Sequence, residues 1–192
     1  MKYYLLFGPP GAGKGTHAVA VAQKYNYKHL STGELLRAEI AAGTELGKKA
    51  KSLIEKGALV PDEVVEGMIE SAFKTIKGYD GFLLDGFPRT LAQAEALDAM
   101  LSKNGEELSG VVSIMIPDSM VIQRIKHRAE IEGRADDANE EIIANRIRTY
   151  HNQTEPLIEY YKKAGKYHEV FGGDPVLEVN RANVLALMEK IG

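Results

Sequence analysis

The stretch GPPGAGKGT occupies residues 8–16, directly after the apolar run Tyr3–Phe7, and it decides the fold. Its nine residues include four glycines, two prolines and one lysine. The spacing G-x-x-x-x-G-K, from Gly8 to Lys14, is typical of a phosphate-binding loop when it follows a strand and opens a helix. Successive N–H groups of such a loop converge on an anion, and the helix N-terminus adds partial positive charge. The stretch therefore predicts a phosphate site in which Lys14 reaches the terminal phosphates.

Short apolar runs alternate with helical patterns along the rest of the chain. Strands are predicted at Tyr3–Phe7, Tyr27–Leu30, Gly81–Leu84, Val111–Ile116 and Tyr167–Phe171. Helices are predicted at Lys14–Tyr25, Gly33–Ala42, Leu46–Lys56, Asp62–Ile76, Thr90–Lys103, Ser119–Glu130 and Asn139–Ala164, the last bent at Pro156. Val176–Lys190 is ambiguous, although Asp174 and Pro175 suit a cap and a first helical residue. The alternation predicts an α/β fold with a parallel sheet whose faces are both covered by helices.

Two segments are additional to a simple alternation of strands and helices. Ser31–Val60 contains successive helical patterns without a strand, and it begins with a capping box formed by Ser31 and Glu34. Arg128–Ala138 is a polar stretch between two helical patterns. We expect both to be inserts on the ligand side of the sheet.

Composition excludes several classes of protein. The 192 residues suit one domain, and 44% hydrophobic residues suffice for a sizeable core. A net charge of −3 gives no sign of a nucleic-acid or membrane-surface protein. The absence of cysteine excludes disulfides and a cysteine zinc site, which agrees with a reducing compartment. We expect no signal peptide and no membrane span, because no apolar run approaches about 18 residues.

Five stretches together resemble the adenylate kinase family of nucleoside monophosphate kinases. They are GPPGAGKGT (8–16), STGELLR (31–37), LLDGFPRTLAQ (83–93), GRADDANEE (133–141) and RIRTYHNQTEPLIEYY (146–161). The resemblance covers essentially the whole chain. It implies a single domain, 1–192, with a doubly wound five-stranded parallel sheet, an insert at 31–60 that binds the nucleoside monophosphate, and a short lid at 127–137. A lid of this length without cysteine cannot fold around zinc as longer lids of the family do.

The resemblance also implies the reaction. The terminal phosphoryl group of MgATP is transferred reversibly to AMP, which gives two ADP and serves adenine nucleotide homeostasis. The implied partners are ATP, AMP and ADP, with Mg²⁺ as the cofactor and without nucleic acid or membrane. A cytoplasmic monomer is implied. No general base is required, because the attacking phosphate oxygen of AMP is already anionic.

On the ATP side, the resemblance implies a set of binding residues: Gly11, Ala12, Gly13, Lys14, Gly15, Thr16, Arg124, Arg128 and Asp174. Within it, Arg124 stacks on the base and the loop around Asp174 offers a backbone carbonyl. The general motif has Ser or Thr directly after the lysine, whereas here Gly15 precedes Thr16, so the direct Mg²⁺ ligand stays open. Asp85 ends a buried strand, where it is either a capping residue or a holder of the Mg²⁺ water shell. We favour the second alternative, with Thr16 and Asp85 both acting through water.

On the AMP side, the implied set is Thr32, Arg37, Ala58, Leu59, Val60, Gly86, Phe87, Pro88, Arg89, Gln93, Arg134 and Arg146. Arg89 grips the acceptor phosphate, and so does Arg37, which from the sequence alone is equally a surface arginine. The Gln93 amide matches N1 and the amino group of adenine, but a flipped amide would match uracil. Relatives with pyrimidine acceptors tend to carry alanine in place of Thr32 and asparagine near Gln93, so AMP is the expected acceptor.

Phosphoryl transfer is assigned to Lys14, Arg89, Arg128, Arg134 and Arg146. Positioned cations stabilise a metaphosphate-like transition state more than covalent chemistry does. The alternative for Arg146, which lies beside the apolar side of its helix, is an ion pair with Asp136 or Asp137. The five histidines show no metal-ligand spacing and are interpreted as structural or surface residues.

Two other functions compete with this interpretation. One is a uridylate/cytidylate kinase of the same superfamily. The other is a phosphate-loop protein whose bound nucleotide only switches a partner surface, although the full set of arginines argues against it. A switch should hydrolyse ATP slowly and independently of AMP.

Overall fold

The computed structural model describes residues 1–56, 58–133 and 139–192. The strands are β1 (Lys2–Phe7), β2 (Tyr27–Ser31), β3 (Gly81–Asp85), β4 (Gly110–Met115) and β5 (Tyr167–Phe171). The helices are α1 (Lys14–Tyr25), α2 (Thr32–Ala42), α3 (Glu45–Glu55), α4 (Asp62–Thr75), α5 (Leu91–Ser102), α6 (Asp118–Glu132), α7 (Glu140–Thr149), α8 (Leu157–Lys163) and α9 (Leu177–Ile191). A π-helical turn, Tyr150–Thr154, follows α7. The predicted α/β class is confirmed.

All five strands are parallel and lie in the order β2-β3-β1-β4-β5. After β1 the chain forms β2 and β3 on one side of β1, and later β4 and β5 on the other side. The direction of winding therefore changes at β1. Ligands of open α/β sheets bind at the carboxyl ends of the strands around such a point. The register places Asp85 beside Leu6 of β1 and Ser31 of β2 at that edge.

Side chains alternate along β1, and each face of the sheet has its own core. Tyr3, Leu5 and Phe7 pack with helices α2, α3, α4, α5 and α8, whereas Tyr4 and Leu6 pack with α1, α6, α7 and α9. Every one of these β1 side chains is at most 4% exposed. Burial on both faces explains why the strand is a continuous apolar run and not an alternating one.

The predicted helix Asn139–Ala164 is interrupted earlier than Pro156. α7 ends at Thr149, the π-helical turn takes the next five residues, and α8 starts at Leu157. The break thus begins before the proline, and Pro156 instead occupies the N-cap of α8. Such π turns recur at functional sites, and this one borders the cleft described below.

The start of the last helix also differs from the prediction. Val176–Lys190 is helical from Leu177 onward, so Pro175 is not its first residue. Asp174 does act locally, because its carboxylate accepts a 2.8 Å hydrogen bond from the Val176 N–H. This Asx-type bond holds a turn before the helix instead of capping the helix itself.

The described parts of the two predicted inserts lie at the carboxyl edge of the sheet. Two helices, α2 and α3, follow each other directly in 31–60, and the Ser31 hydroxyl caps α2 by accepting a hydrogen bond from the Glu34 N–H at 3.3 Å. Of the predicted lid at 127–137, the described part runs to Gly133, which ends α6 in a left-handed conformation. The remainder, including Arg134, lies outside the described residues. In the parts of the chain that the structure describes, no helix has the length and apolarity needed to cross a membrane.

Candidate active site

A cleft of about 480 Å³ opens at the carboxyl edge of the sheet. This volume lies within the range of small-molecule sites, roughly 300–1,000 Å³. The cleft is lined by the glycine-rich loop, α2, the 58–60 segment, the loop after β3, α6 and the π-helical turn. The predicted residues that line it are Gly11, Gly13, Lys14, Gly15, Thr16, Thr32, Arg37, Ala58, Leu59, Val60, Asp85, Gly86, Pro88, Arg89, Gln93, Arg124, Arg128 and Arg146.

The glycine-rich loop joins the end of β1 to the start of α1. Gly13 is the N-cap residue of α1 and has a left-handed backbone (φ 87°), which an L side chain rarely adopts. The first N–H groups of α1 have no side-chain cap, and the residues that carry them, Lys14 to Thr16, line the cleft. Lys14 folds over the loop and donates to the carbonyls of Gly8 and Pro9 at 3.1 and 3.2 Å. The loop is thus shaped to receive an anion.

The ammonium group of Lys14 lies in a strongly cationic environment. Burial lowers the pKa of Lys14 to about 8, well below its ordinary value of 10.5. The carboxylate of Asp85 opposes this shift, while the positive charges of Arg89, Arg146 and Arg128 add to it. These three arginines come from different elements and all line the cleft, as a site for a polyanion requires.

Asp85 lies at the base of the cleft and is only 8% exposed. Burial raises the pKa of its carboxyl group, but a hydrogen bond from His29 and the charges of Lys14 and Arg89 outweigh it and lower the pKa overall. The His29 Nε2 to Asp85 Oδ2 distance is 3.3 Å. A buried carboxylate kept ionised in this way supplies negative charge next to the phosphate loop.

The loop after β3 presents Arg89 through a chain of backbone contacts. Gly86 has a left-handed φ of 84°, and its carbonyl accepts hydrogen bonds from Thr32 Oγ1 at 3.0 Å and Arg89 Nε at 2.9 Å. A Cβ at Gly86 would lie 2.7 Å from the Thr32 hydroxyl oxygen, so only glycine fits there. From the π-helical turn, Thr154 Oγ1 donates to the Arg89 carbonyl at 2.8 Å. The position of Arg89 therefore depends on three separate elements.

Gln93 is almost fully buried at the cleft wall, with 2% of its surface exposed. Its Oε1 accepts from the Arg89 N–H at 2.8 Å, and its Nε2 donates to Asp62 Oδ1 at 2.8 Å. An amide has two acceptor sites and two donor hydrogens. Among the residues that the structure describes, these contacts leave one acceptor site on Oε1 and one hydrogen on Nε2 for another partner.

Arg124 connects the glycine-rich loop to the segment before α9. Its guanidinium donates to the Gly172 carbonyl at 2.8 Å and to the Ala12 carbonyl at 3.5 Å. Asn180, which is buried, holds both the N–H and the carbonyl of Asp174, at 3.0 and 2.8 Å. These contacts brace the end of the cleft where the sequence predicts the ATP base.

Three predicted residues are near the cleft without lining it. Ala12 is buried beneath the loop and Phe87 is buried in the core, so each supports a neighbour that does line the cleft. Asp174 lies in the segment braced by Asn180. Arg134, predicted as part of the arginine clamp, lies outside the described residues, as do the proposed ion-pair partners of Arg146.

Several residues at the site were not predicted from the sequence. Asp62 and Thr154 hold Gln93 and Arg89, and His29 holds Asp85. Asp62 looks like an ordinary acidic residue in the first turn of a helix, and His29 like a strand residue. Sequence offers no signal for either role, because each contact joins elements that are distant along the chain.

The described side chains do not form a metal site by themselves. No group of three or more His, Cys, Asp or Glu residues that could hold an ion occurs in 1–56, 58–133 and 139–192. An ionised Asp85 beside Gly15 and Lys14, with Thr16 in the same cleft, fits a cation that arrives with phosphate oxygens and water, since Mg²⁺ commonly retains several waters.

The parallel sheet and the loop between β1 and α1 define the class: a phosphate-loop nucleotide-binding α/β protein. Within this class, the family model described as adenylate kinase matches residues 6–166. The chain is 44% identical to the adenylate kinase of Phocaeicola vulgatus over 97% of this chain and 98% of the relative. It is 46% identical to that of Flavobacterium psychrophilum over 92% and 93%, and 44% identical to that of Thermobifida fusca over 97% and 98%. The chain belongs to the adenylate kinase family, a family of phosphotransferases.

Proposed function

We propose that this protein transfers the terminal phosphoryl group of MgATP reversibly to AMP and so forms two ADP. The observation that carries the proposal is the convergence of Lys14, Arg89, Arg128 and Arg146 on one cleft whose floor is the phosphate loop. Such cations stabilise the charge that develops on a transferring phosphoryl group.

The cleft offers two ends to two nucleotides. The glycine-rich loop and the N-terminus of α1 receive the ATP phosphates, with Arg124 and the Asp174 segment beside the base. Arg89 and Arg37 hold the AMP phosphate, while Thr32, the 58–60 backbone and Gln93 surround its base. The AMP phosphate oxygen attacks the γ-phosphorus as the bond to the β,γ-bridging oxygen breaks, and ADP leaves with that oxygen.

We assign the Mg²⁺ site to the ATP phosphates and to water, with Asp85 and Thr16 contacting the water shell. The ion neutralises phosphate charge when it is bound. Asp85 suits the assignment because it is buried and is kept ionised by a hydrogen bond from His29. It also lies beside the loop, since a Cβ added to Gly15 would be 3.9 Å from Asp85 Oδ2.

Water competes with AMP for the γ-phosphoryl group, so closure must precede transfer. We assign closure to the insert at 31–60 and the lid at 127–137, with Arg128, Arg134 and Arg146 forming the clamp around the transferring group. We further propose a monomer that works in the cytoplasm, on adenine nucleotides and apart from nucleic acid or membrane.

The test is the initial rate of phosphorylation of AMP, UMP, CMP and GMP at fixed MgATP, followed by ADP formation. We expect kcat/KM for AMP to exceed that for UMP and CMP by at least about 10²-fold, because a site that pairs with one base edge leaves polar groups unpaired with another. Gln93→Leu should lose AMP activity and change little with UMP. Comparable values for AMP and UMP would favour a pyrimidine nucleotide kinase, and slow ATP hydrolysis independent of AMP would favour a switch.

A further inference from the structure

The amide of Gln93 is held from both sides by groups of opposite hydrogen-bonding character. On one side, the Arg89 N–H can only donate, so the amide atom that faces it at 2.8 Å must be the oxygen. On the other side, the Asp62 carboxylate can only accept when ionised, so the atom that faces it at 2.8 Å must be the NH₂ group. The two contacts define the orientation of the amide independently and agree.

A flipped amide would meet two unfavourable contacts. Its NH₂ group would face the Arg89 N–H, and its oxygen would face the carboxylate of Asp62. Gln93 is 2% exposed, so water cannot relieve the mismatch. The side chain therefore offers the cleft one remaining acceptor site on Oε1 and one remaining hydrogen on Nε2.

We infer that Asp62 is a specificity-determining positioning residue, which keeps the Gln93 amide in the orientation that suits a 6-aminopurine. This inference rests on the proposed function, in which Gln93 pairs with the acceptor base. Asp62 need not touch the nucleotide. Its effect passes through Gln93, whose remaining hydrogen would pair with a ring-nitrogen acceptor and whose remaining lone pair would accept from an amino donor.

The fixed amide sorts the bases by the edge they present. Adenine and cytosine present an amino donor beside a ring-nitrogen acceptor, and both match. Hypoxanthine, guanine and uracil present a carbonyl beside a ring N–H, and these are mismatched. Hydrogen bonding at Gln93 thus separates AMP from IMP, although the two purines have nearly the same shape. CMP has to be rejected by ring size instead.

Asp62 also has a structural role that has to be separated from this one. It is the first residue of α4, where an acidic side chain suits the helix dipole, and it accepts a 3.3 Å hydrogen bond from the hydroxyl of Thr90, the N-cap of α5. Glu63 is the next residue of the same first turn, is exposed, and lies outside the cleft lining. It therefore provides a matched control for the helix dipole.

The decisive experiment measures kcat/KM for AMP and IMP in the wild type and in Asp62→Asn, Asp62→Ala and Glu63→Ala. The asparagine variant keeps the size of the aspartate, but its side chain can donate as well as accept, so it would tolerate a flipped Gln93. We expect both Asp62 variants to lower the AMP-to-IMP ratio by about tenfold, because one charge-assisted hydrogen bond and one repulsive contact no longer oppose the flip. Glu63→Ala should keep the wild-type ratio.

A ratio within about twofold of the wild type in both Asp62 variants would overturn the inference, even if those variants were less stable. The ratio is taken within one variant, so loss of folded protein cancels. If turnover is too low to measure, the ratio of dissociation constants for AMP and IMP in the presence of a nonhydrolysable ATP analogue decides in the same way. Failure of the wild type to phosphorylate AMP would instead refute the proposed function, which separates the two outcomes.

Discussion

Thr154 donates a 2.8 Å hydrogen bond to the backbone carbonyl of Arg89, although the two residues are 65 positions apart in the chain. The contact joins the π-helical turn to the loop that presents the arginine to the cleft. Since the turn follows α7, which carries Arg146, one segment of the chain carries one cleft arginine and contacts the backbone of another.

Replacing Thr154 by valine keeps its shape and removes this hydrogen bond. We expect KM for AMP to rise by about fivefold, because one net hydrogen bond contributes roughly 1 kcal/mol, with a smaller change in KM for ATP. Steady-state kinetics against both substrates checks this. Thr75→Val is the control, since Thr75 makes an equivalent 2.8 Å bond to the Ser71 carbonyl on an exposed helix. Equal KM values for AMP in the Thr154→Val and Thr75→Val variants would show that the hydrogen bond from Thr154 does not position Arg89.

Lys14→Met should preserve the fold and remove most of the phosphoryl transfer. Methionine retains the length of the chain but not the charge, and a preorganised electrostatic donor typically contributes about 10²–10³ in rate. Lys24→Met, on the same helix but exposed at its last turn and ion-paired with Glu189, should leave kcat unchanged. Turnover near the wild-type level in Lys14→Met would refute the role assigned to Lys14.

The lowered pKa of Lys14 makes nucleotide affinity dependent on pH. Below a pH of about 8 the free protein carries the charged ammonium, and above it the amine is neutral. Bound phosphates favour the charged form, so the pKa of Lys14 rises in the complex and binding above pH 8 takes up a proton. We expect affinity for ATP to fall as pH rises from 8 towards 9.5, by at most about tenfold per pH unit.

Calorimetric titration with ATP at pH 7, 8 and 9 in buffers of different ionisation enthalpy measures both the affinity and the proton uptake. Lys14→Met should bind more weakly throughout, with a flatter profile above pH 8. The assignment fails if the wild type shows no proton uptake at pH 9 or if the variant retains the same slope.

Arg146→Ala should lower kcat more than it raises KM for AMP, because the charge that this cation binds moves during transfer. Arg148→Ala is a suitable comparison, since Arg148 lies on the same last turn of α7 but is exposed and outside the cleft lining. Initial rates across both substrates separate the two parameters. An Arg146 variant with normal kcat and weak AMP binding would place this arginine in ground-state recognition.

Local sequence patterns were sufficient to predict those parts of the structure that depend only on residues close together in the chain. The apolar run Tyr3–Phe7, the glycine spacing and Lys14 predicted a strand, a phosphate loop and a helix in succession, since each depends on backbone conformation and burial over a few residues. The helix is interrupted before Pro156, because proline has no N–H and its ring meets the carbonyl of the residue four positions earlier, Asn152, which lies inside the π-helical turn Tyr150–Thr154. The contact of Thr154 with Arg89 joins distant parts of the chain, and local patterns did not predict it.

The sequence by itself determined the fold class, the phosphate loop and most of the residues that line the cleft, because these follow from periodicity, motif spacing and family resemblance. It left the orientation of the Gln93 amide open, since a free amide can flip to match either kind of base. Only the tertiary structure decided this point: α4 brings Asp62 to one side of the amide, and the loop after β3 brings the Arg89 N–H to the other. Hydrogen-bond direction at a buried amide is a property of its surroundings, and 31 residues of chain separate Gln93 from Asp62.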